Sequence, residues 1–261
     1  MGPSDLQEFL NAEVYAFILT FVRLGATFLL MPGMGDAFIP TRIRLLLALG
    51  LSFILYPMVG PELPDPEPQV LEIFTYIGAE FVIGLFIGFA ARVFQAALDI
   101  GGQFISLIAG LRNAELFSPS LGGQGSVIGG FLGVTGIALF MTANLHHLMI
   151  LGILNSYEFF PFGEMPASGG IADVSARFVN QSFMLGFQIA APVIIVGLLI
   201  HMISGIIARI IPQIQAFILV LPLQILVSLI TLGFIVSTIF IFWLNHFESS
   251  LTFLFSGEAY E

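Results

Sequence analysis

Cysteine and lysine are both absent from the 261 residues. Without a thiol there is no disulfide, no cysteine nucleophile and no thiolate-bound metal. Without lysine, all seven cationic residues are arginine, and an amine-directed label would find only the N-terminus. Charge of either sign is scarce: Asp, Glu, Lys and Arg make up 9% of the chain, against about 25% in soluble domains. The formal net charge of −10 removes any electrostatic basis for nucleic-acid binding. No HExxH, GxSxG or phosphate-loop pattern occurs, so no conventional enzyme chemistry finds a foothold. His146 and His147 are adjacent, which on a helix turns them about 100° apart and away from a shared metal. The acidic start Met1-Gly-Pro-Ser-Asp-Leu-Gln-Glu has no basic n-region, which predicts that it is not a cleavable signal peptide. No enzyme activity, cofactor or metal is expected.

What the chain does contain is apolar. Hydrophobic residues make up 57% of it, and the mean hydropathy is +1.02. The apolar runs are continuous and lack the alternation of a membrane β-barrel. The expected fold is therefore an all-α integral membrane protein. A span needs roughly 20 apolar residues. Six segments meet that length: Val14–Met31, Ile43–Val59, Leu71–Ala91, Val127–Leu154, Phe178–Ala208 and Ile214–Trp243. The last two are long for a simple span, with Pro192 and Pro222 as expected bends. Ser4 or Asp5 is expected to cap a short N-terminal helix.

The connections divide by charge. Arg42 and Arg44 follow the first segment, Arg92 and Arg112 the third, and Arg209 the fifth; Arg177 alone lies among the other loops. The positive-inside rule then puts the odd connections in the cytoplasm and the termini outside. Gly60-Pro-Glu-Leu-Pro-Asp-Pro-Glu-Pro68 reads as an extended acidic loop, and Arg209-Ile-Ile-Pro212-Gln213-Ile214 as the tight turn of a helical hairpin. One connection is unlike membrane helix altogether: Gly110-Leu-Arg-Asn-Ala-Glu-Leu-Phe-Ser-Pro-Ser-Leu-Gly-Gly-Gln-Gly125. Backbone this irregular cannot face lipid, where its N–H and C=O groups have no partners. It lies either at a membrane surface or inside protein, lining an aqueous path.

Few polar groups fall inside the apolar segments. Arg23 and Glu80 sit mid-way in the first and third. They read either as an ion or proton relay, or as a buried pair or subunit contact, since an unpaired charge there costs at least about 2.5 kcal/mol. Gln95, Asp99, Gln103 and Ser106 recur every three or four residues; Asn180 or Gln181, Met184, Gln188 and His201 do the same in the fifth segment. Such a face either hydrogen-bonds to other helices or lines a conduit. Gly84-xxx-Gly88 and Gly129-xxx-Gly133 are small-xxx-small pairs that let helices approach closely.

The chain resembles the FliR/SctT family of type III export-gate subunits. The resemblance runs through Ile39-Pro40-Thr41-Arg42-Ile43-Arg44-Leu45, then Gly102-Gln103, Phe117-Ser118-Pro119, Asn144-Leu-His146-His147 and Pro161-Phe-Gly163. It continues through Ala191-Pro192 and Ala208-Arg209-Ile-Ile-Pro212-Gln213-Ile214. Ser118, Leu145, Val220 and Gln224 stand where the family commonly has Asp, Gly, Gly and Lys. The resemblance implies one membrane domain, 1–261, with helical hairpins in a hetero-oligomeric gate. Within it, 14–154 is a P-like part carrying a plug loop at about 110–126, and 177–247 is a Q-like hairpin. It implies a pore through which unfolded flagellar proteins cross the bacterial inner membrane at the flagellar basal body. The implied partners are FliP-like and FliQ-like gate subunits and FlhB-like and FlhA-like export proteins. The implied plug residues are Leu116, Phe117, Ser118, Pro119, Leu121, Gly122, Gly123, Gln124 and Gly125. The alternative readings are a secondary transporter for a small solute, using Arg23, Glu80 and the polar faces, and an assembly scaffold without a conduit.

Overall fold

In an apolar environment a backbone must satisfy its own N–H and C=O groups, and continuous apolar runs do so as helices. The computed structural model describes residues 3–59, 70–112, 126–163, 168–210 and 216–255. Among these residues the helices are α1 (Pro3–Leu30), α2 (Thr41–Val59), α3 (Val70–Ala109), α4 (Val127–Thr142), α5 (Leu145–Phe159), α6 (Ser168–Ile210) and α7 (Ala216–Phe255). No strand occurs among them. Five helices are long and apolar enough to cross a membrane, and α4 with α5 would make a sixth as one bent span. The fold is the expected all-α membrane architecture.

Several boundaries differ from the expectation, each for a local reason. No separate N-terminal helix forms: α1 runs unbroken from Pro3, a residue that suits a first helical turn because its missing N–H would go unused there. The third segment does not end at Ala91. Nothing from Arg92 to Ala109 breaks a helix, so α3 continues for 40 residues until Gly110, whose φ of 78° stops it. The fourth segment is two helices meeting at 69°. The break falls at Asn144, in the left-handed region with φ 59° and ψ 20°, a conformation that asparagine tolerates better than most residues. Pro192 and Pro222 lie inside α6 and α7, which are continuous helices on either side of them.

Helices of 40, 43 and 40 residues in α3, α6 and α7 rise about 60 Å, twice the roughly 30 Å hydrocarbon core. α2, with 19 residues, rises about 28 Å and matches a single crossing.

The chain forms two compact units. The first comprises residues 1–93, 140–178 and 248–261, and the second 94–139 and 179–247. In the first unit, α1 and α3 touch backbone to backbone. A Cβ on Gly84 would stand 2.3 Å from the Arg23 carbonyl oxygen, and one on Gly88 2.6 Å from that of Thr27. The Thr27 hydroxyl donates to the carbonyls of Arg23 (2.9 Å) and Gly84 (3.0 Å) across that contact. In the second unit, α3 and α4 meet more closely still: a Cβ on Gly102 would lie 2.3 Å from the Gly129 Cα. Both small-xxx-small pairs therefore mark helix contacts. The lone Trp243 is fully buried, donates its indole N–H to the Phe94 carbonyl at 2.9 Å and packs against Phe247 at a ring separation of 5.2 Å.

Gly102→Ala should lower the thermal midpoint of the detergent-solubilised chain, because overpacking against backbone costs about 1–3 kcal/mol. Gly50→Ala, where nothing lies within 4 Å of the added methyl, should leave it unchanged or raise it. Equal midpoints for the parent and Gly102→Ala would contradict the close approach.

Candidate functional site

The first unit is built around a buried ion pair. Arg23 of α1 and Glu80 of α3 are both fully buried. The Arg23 Nε donates to Glu80 Oε2 at 2.6 Å and Nη2 to Oε1 at 2.9 Å, a two-pronged contact. Two further bonds come from the end of α5. Nη1 donates to the Ser156 hydroxyl at 3.0 Å, and Nη2 donates to the Phe160 carbonyl at 2.9 Å. The Ser156 hydroxyl in turn donates a hydrogen bond to the Ile153 carbonyl at 2.6 Å. The guanidinium carbon lies 3.6 Å from the centre of the Tyr157 ring, a cation–π arrangement.

The turn after α5 completes the enclosure. The Phe160 N–H closes the helix end on Ser156 at 2.8 Å, which leaves its carbonyl for Arg23. Phe162 stacks on Tyr157 with ring centres 4.6 Å apart, inside a cluster with Leu19 and Val59. Gly163 has φ 78°, and a Cβ there would meet the Tyr76 ring at 2.5 Å. Glycine is required on both counts. The Pro161-Phe-Gly163 motif is thus the lid of the Arg23 pocket. Its partners Ser156, Tyr157 and Phe160 were not singled out from the sequence; the only signal was that motif, which carries no chemistry by itself.

With four bonds donated to partners inside the unit, the guanidinium is already engaged, and this favours the buried-pair reading of Arg23 and Glu80 over a relay. A bidentate Arg–carboxylate pair is the arrangement that best offsets the desolvation of two charges.

The polar face of α3 has a divided fate. Gln95 is buried and donates to the Gly133 carbonyl of α4 at 2.9 Å. Asp99 lies over Gly133, where a Cβ would come within 2.6 Å of its carboxylate oxygen. Ser106 is buried and hydrogen-bonded to the Ser126 hydroxyl, which also donates to the Gly102 carbonyl at 3.1 Å. Gln95, Asp99 and Ser106 thus form a polar seam with α4, while Gln103 faces outward. On α6, Asn180, Gln181, Met184, Gln188 and His201 are exposed. Gln224 of α7 is buried, and its amide donates to the Ile108 carbonyl near the end of α3. His146 and His147 do not turn apart as expected. Their ring centres lie 4.1 Å from one another, because their side chains lean together at the start of α5. No group of three His, Asp or Glu suited to a metal occurs among the described residues.

Arg209 is exposed in the last turn of α6. Pro212 and Gln213, and the expected plug residues Leu116, Phe117, Ser118, Pro119, Leu121, Gly122, Gly123, Gln124 and Gly125, lie outside the described residues.

The fold and its buried pair define a multi-pass α-helical membrane protein, with helices too long for a single crossing. Residues 14–250 match the family described as bacterial export proteins, family 1, and the chain belongs to it. It is 37% identical over 240 residues to the flagellar biosynthetic protein FliR of Caulobacter vibrioides, covering 92% of this chain and 95% of that protein. The FliR of Bacillus subtilis is 32% identical, covering 90% and 92%. That of Escherichia coli is 25% identical, covering 80% and 79%. The resemblance read from the motifs is borne out.

Arg23→Met and Glu80→Leu should each cost about 3–5 kcal/mol, since either strands a buried charge. The double variant should recover much of that loss. Thermal unfolding of all four forms in detergent measures the coupling, and additive losses would count against a paired core.

Proposed function

We propose that this chain is a structural, pore-forming subunit of the flagellar type III export gate, and that unfolded flagellar proteins cross the bacterial inner membrane through the gate it helps to build. The observation that carries this reading is the family match over residues 14–250, with relatives named as flagellar biosynthetic proteins along nearly their full length.

The surface of α6 and α7 supports assembly with other chains. Met202, Ile203, Ile206 and Ile210 on α6, and Leu223, Leu226, Phe234 and Ile241 on α7, are all exposed. Phe234 is 83% exposed. Helices of about 60 Å carry this apolar surface beyond the depth that lipid can cover. What projects past the bilayer needs protein against it. FliP-like and FliQ-like subunits are the proposed cover, with FlhB-like and FlhA-like proteins alongside. In this reading residues 14–154 act as the P-like part, 177–247 as the Q-like hairpin, and the stretch around 110–126 as the plug. Phe117 and Leu121 would seal it, and Gly122, Gly123 and Gly125 would let it move. Arg42, Arg44, Arg92, Arg112 and Arg209 would mark the cytoplasmic side.

Two measurements test the reading. Tagged chain recovered from its own cell in mild detergent should bring down FliP-like and FliQ-like partners in one defined complex; a chain recovered alone and monodisperse would overturn it. Deleting Leu116–Gly125 should make cells that express the gate leak small ions. Unchanged conductance and growth would remove the plug.

A further inference from the structure

The stretch between Gly110 and Ser126 leaves α3 and returns to it. α3 and α4 run antiparallel, and their contacts step along both helices. Gln95 reaches the Gly133 carbonyl, Asp99 lies over Gly133, Gly102 meets Gly129, and Ser106 is bonded to Ser126. Ser106 stands one turn before Gly110, where the left-handed backbone stops α3. One turn is about 6 Å of helix rise. Both ends of the stretch are therefore anchored close together on a single helix.

Each end is held by a side chain from outside α3. At the returning end, Ser126 precedes α4 and its hydroxyl is fully used. It accepts the Gly129 N–H at 3.1 Å, capping the first turn of α4. It donates to the Gly102 carbonyl at 3.1 Å, and so accepts from the buried Ser106 hydroxyl. One hydrogen and two lone pairs are all that a hydroxyl has. At the departing end, the buried Gln224 amide donates to the Ile108 carbonyl, in the last turn of α3, where carbonyls lack partners within the helix. Leu221 of α7 covers the stop itself: a Cβ on Gly110 would touch it at 3.8 Å.

We propose that Ser126 and Gln224 are positioning residues that pin both ends of the proposed plug to α3, so that the plug yields to a substrate between fixed ends. The inference rests on the plug reading and adds which contacts hold while the path opens. The alternative movement, α4 parting from α3, would break all three bonds of the Ser126 hydroxyl and the glycine contact behind them. Each broken bond would leave a polar group stranded where little water reaches it. Yielding between the ends breaks none of these bonds.

Because the chain has no cysteine, Ser106→Cys together with Ser126→Cys supplies its only two thiols. Hydroxyls in hydrogen-bond contact leave their β-carbons within reach of a disulfide. The double variant is expressed with the rest of the gate in its own cells and oxidised with copper phenanthroline. Peptide mass spectrometry reads the disulfide between positions 106 and 126, and secretion of flagellar protein reads function. The disulfide should form, and secretion should match that of either single variant. Thiols that stay free would overturn the clamp. A disulfide that stops secretion until reductant is added would overturn the fixed ends. In a second arm, Ser126→Ala with Gln224→Leu should raise the ion leak towards that of the Leu116–Gly125 deletion, with recovery of the gate unchanged. Ser126→Thr with Gln224→Lys keeps both donors and should return the leak to the parent level. A deletion that leaks beside a Ser126→Ala, Gln224→Leu variant that does not would overturn the positioning role alone. A deletion that does not leak, with the disulfide formed, would overturn the plug reading and the role built on it, and leave the anchored geometry standing.

Discussion

A guanidinium cannot be left alone away from water, and in the first unit most of the arrangement follows from housing one. Arg23 brings five donors into a space with no solvent. Four bonds are made, to Glu80, the Ser156 hydroxyl and the Phe160 carbonyl. Those acceptors come from α3, the end of α5 and the turn beyond it. One side chain therefore fixes where three elements meet. The hydroxyl of Thr27, the close approach at Gly84 and the ring of Tyr157 tighten the same junction. A purely apolar junction would tolerate sliding of one helix on another; a four-bonded cation does not, since each shift strands a buried donor.

The second unit is held on a different principle. There the α3–α4 contact comes from removing side chains, with Gly102 against Gly129. Between these small residues, Gln95 and Ser106 spend their polarity on α4, and Trp243 and Gln224 each reach a carbonyl of α3. In lipid, association gains little from burying apolar surface, because the tails are as apolar as leucine. Close backbone contact and a few satisfied polar groups take over that role. The abundance of glycine, 28 residues in all, is intelligible in that light.

The long helices connect packing to function. α6 and α7 present apolar surface along most of their length, and a membrane can cover only about half of it. In the proposed export gate, neighbouring helical subunits would cover that surface. α6 also packs by rings inside the second unit: Phe104 of α3 meets Phe183 and Phe187 edge-on at 6.1 and 5.9 Å. Order within the unit and availability outside it thus coexist on one helix.

Class and family were legible from the residues alone. Apolar length and scarcity of charge are local properties, and a backbone that must satisfy itself in lipid has only helix to choose. Small-xxx-small spacing likewise marked real contacts at Gly84 and Gly129. The sequence was less informative about ends: the halt of α3 at Gly110 and the bend at Asn144 depend on single residues adopting a left-handed backbone, which periodicity does not register. It was silent on partnership. Arg23 and Glu80 are separated by 57 positions, and whether two intramembrane charges meet, or one polar stripe faces a neighbouring helix while Gln103 points away, depends on which helix faces which. The sequence by itself determined a multi-pass helical membrane protein, because burial in lipid acts residue by residue, and its ordered motifs carried the resemblance to the export family. Only the tertiary structure decided which polar groups satisfy one another, because hydrogen bonds require their atoms within about 3 Å and in line.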